Sequence, residues 1–319
     1  MHTDNDKAIH LLLTQPVPEA IDARLVQDYR VHRLYQEEQP QRLLDQVGAL
    51  IRGVVTGGAK GLSNTLMAQL PALEIIAISG IGTDAVDLGN AAARNIHVTT
   101  TPGVLTDDVA DMAMGLIIST LRRLGEGERL VRNGQWGRVN LPLARKVSGI
   151  ELGIVGLGRV GHAIARRASA FDMGIAYSDL REQPDCGYRF VGDLQALARS
   201  VDVLVLAASA DDGKAIVTAQ VLEALGPEGY LINVARGKLV DEQALVEALR
   251  ERRIAGAGLD VFVDEPHVPA ALCDLDQVSL QPHRASATLQ TRLEMGQLVL
   301  LNLEACFRGE LPPHRVACG

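Results

Sequence analysis

Two α/β domains, each built on a parallel sheet, are what this sequence predicts. Three observations carry that expectation. The chain has 319 residues, room for about two domains of ordinary size. Short aliphatic runs alternate with stretches of helical spacing almost from end to end, the rhythm of a parallel sheet covered on both faces. A glycine-rich turn near the middle joins one such run to one such stretch.

Taken in order, strands are expected over 9–13, 53–55 and 74–78, with helices over 41–51 and 64–70 between them. After His97-Val98 a long helix is expected over 105–124, with Thr106 as its N-cap and Asp107 and Asp108 in its first turn. A polar stretch over 129–146 carries Asn133-Gly134 and the single tryptophan, Trp136. A second alternation begins at Glu151, with a strand over 152–155, a helix over 160–171 and a strand over 175–178. Further strands are expected over 203–206, 230–234, 258–261 and 278–280, and a last helix over 287–307.

Composition narrows the function classes. Apolar residues at 47% and charged residues at 22% suit a folded, water-soluble protein. A net charge of −8 with no long basic run argues against nucleic acid as a partner. No apolar run approaches the ~18 residues of a bilayer span. The acidic start, Met1-His2-Thr3-Asp4-Asn5-Asp6-Lys7, leads into a short apolar stretch from Ala8 that reads as a first strand rather than a signal peptide. Cys186, Cys273, Cys306 and Cys318 have no CxxC spacing, so free thiols and the cytoplasm are expected. No His, Cys or Asp spacing suggests a metal. Against one Trp, five Tyr and four Phe stand 31 Gly; the core must be aliphatic, and the glycines need an explanation.

Some of them sit in the central turn. Gly156, Gly158 and Gly161, with Leu157, Arg159 and Val160 between them, form GxGxxG directly after an aliphatic strand and before a helix. The three glycines suit a tight turn, close approach of backbone to a pyrophosphate, and close helix–strand packing. The helix N-terminus adds N–H donors and partial positive charge. Asp179, 23 residues past Gly156, ends the next strand and can accept from ribose hydroxyls. It argues for NAD. Arg181 would suit a 2′-phosphate and leaves NADP open.

Ligands of open parallel sheets lie outside the carboxyl ends of the strands. Past three successive late strands come Arg236, Glu265 and His283. A lone His or Glu at a strand end is more often structural or solvated; three such groups on one sheet edge beside a dinucleotide turn suit carbonyl reduction. The arginine can hold a carboxylate and polarise a carbonyl. The histidine can protonate the oxygen as hydride arrives, and an adjacent carboxylate favours the charged imidazole.

These segments resemble the D-isomer-specific 2-hydroxyacid dehydrogenases over most of the chain. Ser79-Gly80-Ile81-Gly82-Thr83-Asp84-Ala85-Val86-Asp87 is similar to the family's substrate loop, and 101–110 to its interdomain helix entry. Asn233-Val234-Ala235-Arg236-Gly237, Gly258-Leu259-Asp260-Val261-Phe262 with Glu265-Pro266, and Pro282-His283 match its three catalytic segments. The resemblance implies two Rossmann-like or flavodoxin-like domains with the active site between them. Residues 1–99 and 289–319 would form a discontinuous substrate domain, and 100–288 the NAD(P)-binding domain. It implies Arg236 as the substrate-orienting residue, His283 as acid/base and Glu265 as its partner. Ile81 and Gly82 would hold the substrate carboxylate by their N–H groups, Asp260 the nicotinamide carboxamide, and Ala235 would be a further cofactor contact. A homodimer with 129–141 in its contact is also implied. The second half looks closest to glyoxylate/hydroxypyruvate and hydroxyphenylpyruvate reductases, so the expected reaction is NAD(P)H-dependent reduction of a small 2-oxo acid to the D-2-hydroxy acid. Hydroxyphenylpyruvate, 2-ketogluconate, or a non-catalytic dinucleotide-sensing interaction protein are the alternatives. At 319 residues the chain has no room for the extra regulatory domain of many phosphoglycerate dehydrogenases.

Two places depart from the family. The loop over 207–214, Ala-Ala-Ser-Ala-Asp-Asp-Gly-Lys, lacks the usual Pro and Thr near the cofactor, and Arg284 follows the histidine where a small or apolar residue is common. His162 reads as a surface or packing residue. Thr56-Gly57-Gly58-Ala59-Lys60-Gly61 lies at a strand end of the first domain but lacks the phosphate-loop pattern. Trp136 is open between a dimer anchor and a buried side chain.

Overall fold

The computed structural model describes residues 9–209 and 213–316. The readings above that concern residues 1–8, Ala210, Asp211, Asp212 and Cys318 lie outside them. The chain divides into two units, Met1–Leu105 with Ser286–Gly319, and Thr106–Ala285.

The first unit begins β1 (His10–Leu13), α1 (Glu19–Asp28), β2 (Arg30–Arg33), α2 (Pro40–Val47) and β3 (Ile51–Gly57), and continues α3 (Asn64–Ala68), β4 (Ile75–Ser79), α4 (Leu88–Ala93) and β5 (His97–Thr99). The second unit runs α5 (Thr106–Leu121), α6 (Leu124–Arg132), β6 (Glu151–Val155), α7 (Arg159–Ser169), β7 (Gly174–Ser178), β8 (Arg189–Phe190) and α8 (Leu194–Arg199). It goes on through β9 (Val203–Leu206), α9 (Ala219–Leu225), β10 (Tyr230–Asn233), α10 (Glu242–Arg250), β11 (Gly256–Leu259), α11 (Ala270–Cys273) and β12 (Val278–Leu280). The chain then returns to the first unit with α12 (Leu289–Phe307).

Both sheets are parallel throughout. The first has the order β2-β1-β3-β4-β5, the second β12-β11-β10-β9-β6-β7-β8. In the first unit, Leu11, Leu13, Ile75 and Ala77 pack on one face with Ile21, Leu25, Val299 and Leu303 of α1 and α12. Leu12, Val54, Ile76 and Ile78 face the other way, onto Leu44 and Met67 of α2 and α3. Strands apolar on both faces are what helices on both sides require. In the second unit, Leu204, Leu231, Ala257 and Leu259 meet Leu222, Leu245 and Leu249 of α9 and α10.

The second sheet's order reverses between β6 and β9, the switch point where doubly wound sheets open a crevice at their carboxyl edge. Gly156 follows β6 at that point.

Several expectations need correction. Thr106 is the first residue of α5 rather than a cap. The helix expected over 105–124 is two helices, because Arg123 takes a left-handed backbone (φ +54°) and turns the chain into α6. α2 stops at Val47 and residue 51 already starts β3. β11 lies two residues earlier than expected. Its Gly256-Ala257-Gly258 start has no aliphatic signal, because these positions receive a helix: a Cβ on Gly258 would lie 3.1 Å from Leu116 Cβ of α5. β2 is Arg30-Val31-His32-Arg33 on a sheet edge, where charge is favoured and the apolar alternation is lost.

Candidate active site

The glycine turn has the shape its sequence predicts. Gly156 adopts φ +89°, and a Cβ there would lie 2.6 Å from Ala208 Cα at the end of β9. A Cβ on Gly161 would lie 2.2 Å from the Gly156 carbonyl oxygen, so α7 sits directly on the turn. Gly158 precedes α7 with no capping side chain, and a Cβ there would meet nothing within 4 Å. A helix N-terminus left without a capping side chain, at Arg159 and Val160, fits the phosphates of a dinucleotide. Asp179 follows β7, and its Oδ2 accepts the Leu157 N–H at 2.8 Å. Arg181 is exposed. His162 is an exposed helix residue whose Nδ1 lies 3.0 Å from the Gly158 carbonyl.

Arg236, Glu265 and His283 are brought together at the carboxyl edge of β10, β11 and β12. The turn after β10 is shaped by the buried Asn233, whose Oδ1 accepts from the Ala235 N–H at 3.0 Å and whose Nδ2 donates to the Arg236 carbonyl at 2.9 Å. Arg236 is half-buried and donates from Nη1 to the Ala235 carbonyl at 2.7 Å. Gly237 abuts the next loop: a Cβ there would lie 2.0 Å from the Phe262 carbonyl carbon. Glu242 of α10 also clamps that loop, accepting the Val263 N–H at 3.2 Å.

Glu265 Oε2 lies 2.6 Å from His283 Nδ1. A carboxylate only accepts, so Nδ1 carries the proton and Nε2 is left to exchange one. Burial alone would raise the Glu265 carboxyl. The His283 hydrogen bond, the Phe262 N–H and the charges of His283 and Arg236 outweigh it and hold the carboxyl below its ordinary range. His283 itself has a left-handed backbone (φ +49°), stabilised by its N–H donating to the Asp260 carbonyl at 2.8 Å. Asp260, 1% exposed, accepts the Arg284 N–H on Oδ1 at 2.8 Å and the Ala285 N–H on Oδ2 at 2.9 Å. Burial pushes its carboxyl up despite those two donors and the neighbouring imidazole. Arg284 is exposed.

In the first unit, Ile81 is 42% exposed at the end of β4. The loop is held from behind. The Thr101 hydroxyl accepts the Gly80 N–H at 3.0 Å, and the Thr101 N–H donates to the Gly80 carbonyl at 2.8 Å. A Cβ on Gly58 would lie 3.1 Å from the Gly82 carbonyl oxygen, so the 56–61 loop buttresses this one.

A cation, a hydrogen-bonded His–Glu pair and a dinucleotide turn on one sheet edge have counterparts among known proteins. Residues 114–285 match the family model of the D-isomer specific 2-hydroxyacid dehydrogenase NAD binding domain. The chain belongs to the D-isomer-specific 2-hydroxyacid dehydrogenases. Family relatives include a 2-ketogluconate reductase of Gluconobacter oxydans, 42% identical over 93% of this chain and 95% of that one. A glyoxylate/hydroxypyruvate reductase A of Arabidopsis thaliana is 43% identical over 95% and 97%. Among solved structures, the NADPH-dependent glyoxylate/hydroxypyruvate reductase of Sinorhizobium meliloti with NADP and malonate superposes with a TM-score of 0.88 at 40% identity, covering 97% of each chain. The dehydrogenase is thus an NAD(P)-dependent oxidoreductase of 2-oxo and 2-hydroxy acids.

Sequence reasoning placed Asn233 and Thr101 in matched segments but gave neither of them, nor Glu242, a role of its own. Each acts through backbone groups, and a polar residue next to a strand end carries no signal of which backbone it will hold.

Proposed function

We propose that this dehydrogenase reduces a small 2-oxo acid of the glyoxylate or hydroxypyruvate type to the D-2-hydroxy acid. The 2.6 Å His283–Glu265 pair beside Arg236 is the observation that supports it most. Gly156, Gly158, Arg159, Val160, Gly161 and Asp179 would hold the dinucleotide. Ala235 and Asp260 would add contacts nearer the nicotinamide; the Asp260 oxygens each keep a lone pair beyond their backbone donors. When bound, NAD(P)H supplies the hydride. Arg236 binds the substrate carboxylate and polarises the carbonyl. By the family resemblance, Ile81 and Gly82 would offer N–H donors to the substrate carboxylate. His283 donates the Nε2 proton to the oxygen that becomes the hydroxyl, and Glu265 stabilises the imidazolium beforehand.

Arg236→Ala and His283→Ala should each abolish reduction while dinucleotide binding survives. A panel of glyoxylate, hydroxypyruvate, hydroxyphenylpyruvate, pyruvate and 2-ketogluconate with either reduced dinucleotide tests the substrate. Bound cofactor with no turnover on any of them would instead support the sensing protein.

A homodimer is part of the proposal. Leu124, Val131, Trp136, Val139 and Leu143 of α6 and the following segment are exposed, Trp136 at 81%. Light scattering should give twice the 34.2 kDa chain mass, and Trp136→Ser should shift it towards the monomer. Cys186, Cys273 and Cys306 are unpaired, which suits the cytoplasm proposed for it.

A further inference from the structure

We infer that the buried hydroxyl of Thr101 is a positioning group for the 2-oxo acid, acting through the peptide that joins Gly80 to Ile81. This deepens the proposed function and rests on it, since there the Ile81 and Gly82 N–H groups receive the substrate carboxylate. Among the described residues neither of those two N–H groups donates to another group of the chain. Gly80, which precedes them, is held through both of its backbone groups. Its N–H is shared between the Ile78 carbonyl at 3.0 Å and the Thr101 hydroxyl at 3.0 Å. Its carbonyl accepts the Thr101 N–H at 2.8 Å and the same hydroxyl at 3.3 Å. Thr101 is 0% exposed.

The post that holds Gly80 is stiff. Thr101 is β-branched and stands before Pro102, so its χ1 and its backbone have few alternatives. It follows β5, which is paired with β4, and the neighbouring Thr100 N–H donates to the His314 carbonyl at 3.2 Å. In a trans peptide the carbonyl and the N–H point in opposite directions, and the Gly80–Ile81 bond is trans. Two donors fixed on the Gly80 carbonyl therefore aim the Ile81 N–H away from Thr101. They also polarise that peptide, which makes the Ile81 N–H a stronger donor to an anion. A methyl in place of the hydroxyl strands no buried group: the Gly80 N–H keeps the Ile78 carbonyl, and the Gly80 carbonyl keeps the Thr101 N–H. The fold is thus expected to survive Thr101→Val, while the aim and strength of the Ile81 N–H decline. Reduction leaves the carboxylate unchanged, so weaker holding acts on ground and transition states alike and appears in KM.

The test is steady-state kinetics on whichever 2-oxo acid of the panel the wild type reduces best, at saturating reduced dinucleotide. Thr101→Val is expected to raise KM about three- to tenfold, with kcat within about twofold of wild type. Its melting temperature and its dissociation constant for the reduced dinucleotide should match the wild type's. Thr101→Ser keeps the hydroxyl and should return KM to within about twofold of wild type. A folded Thr101→Val with unchanged KM, or with a loss confined to kcat or to dinucleotide binding, overturns the inference and leaves the proposed function standing. A wild type that turns over none of the 2-oxo acids overturns that function, and this role with it. If Thr101→Val does not fold, Thr101→Ser decides alone, and a raised KM there overturns the inference.

Discussion

Glu265→Gln removes one charge and almost no volume, and its effect follows from two hydrogen bonds. The carbonyl oxygen of the new amide can still accept the Phe262 N–H, which Glu265 Oε1 takes at 3.1 Å. The amide nitrogen then faces His283 Nδ1 in place of the carboxylate oxygen at 2.6 Å. Two donors cannot share that contact, so the imidazole must place its proton on Nε2 and leave Nδ1 bare. The doubly protonated form needed to donate during reduction is disfavoured. A hydrogen bond to a charged group contributes about 1.5–3 kcal/mol. The side chains are 37% and 23% exposed, so solvent screening lowers this to about 1–2 kcal/mol. That corresponds to a loss of roughly 5- to 30-fold in kcat/KM. The assay is NADH oxidation with glyoxylate across about pH 5.5 to 9, with thermal melting as the control for folding. A variant with a normal melt and a kcat/KM within about twofold of wild type throughout would refute the pairing argument.

Other predictions follow from geometry and charge. Gly237→Ala puts a Cβ 2.0 Å from the Phe262 carbonyl carbon and 2.5 Å from the Val263 nitrogen; it should cost upward of about 3 kcal/mol in urea unfolding and abolish turnover, because the loops of Arg236 and Glu265 are forced apart. The Glu265 carboxyl is held below the 4.5 of a free glutamate, so its contribution is complete above that pH and is lost only as acid drives below it; folding followed by circular dichroism should show wild type and Glu265→Gln converging at the acid end. Cys306 is 8% exposed, and burial, reinforced by Glu74, pushes its thiol up to about 11. Iodoacetamide at neutral pH should label the exposed Cys273 and spare Cys306 until the chain unfolds. Since the folded thiol keeps a proton that the unfolded one loses above about 9, stability should fall as pH rises from there, by an amount read from urea midpoints.

Two members of the proposed catalytic set were legible because each lies just beyond a short apolar strand, whereas Glu265 follows β11, whose start carries no such signal. Strand Tyr230–Asn233 announces Arg236, and Val278–Leu280 announces His283. The fold class was legible for the same reason. What the sequence hid was structure made by tertiary context. The small residues of β11 look unlike a strand until α5 is laid over them, and β2 is charged because it is an edge. Asp260 shows the limit for function: its position suggests a cofactor contact, but only the fold brings its carboxylate onto the backbone that follows His283.

The return of α12 to the first sheet has a consequence for biosynthesis. On the ribosome, residues 1–105 emerge before 106–285, yet the sheet face formed by Leu11, Leu13, Ile75 and Ala77 lacks Val299 and Leu303 until α12 is made. The second unit is contiguous and complete before that. The nascent chain therefore finishes 106–285 before the sheet of 1–105, which waits, with an aliphatic face uncovered, for the helix that closes it.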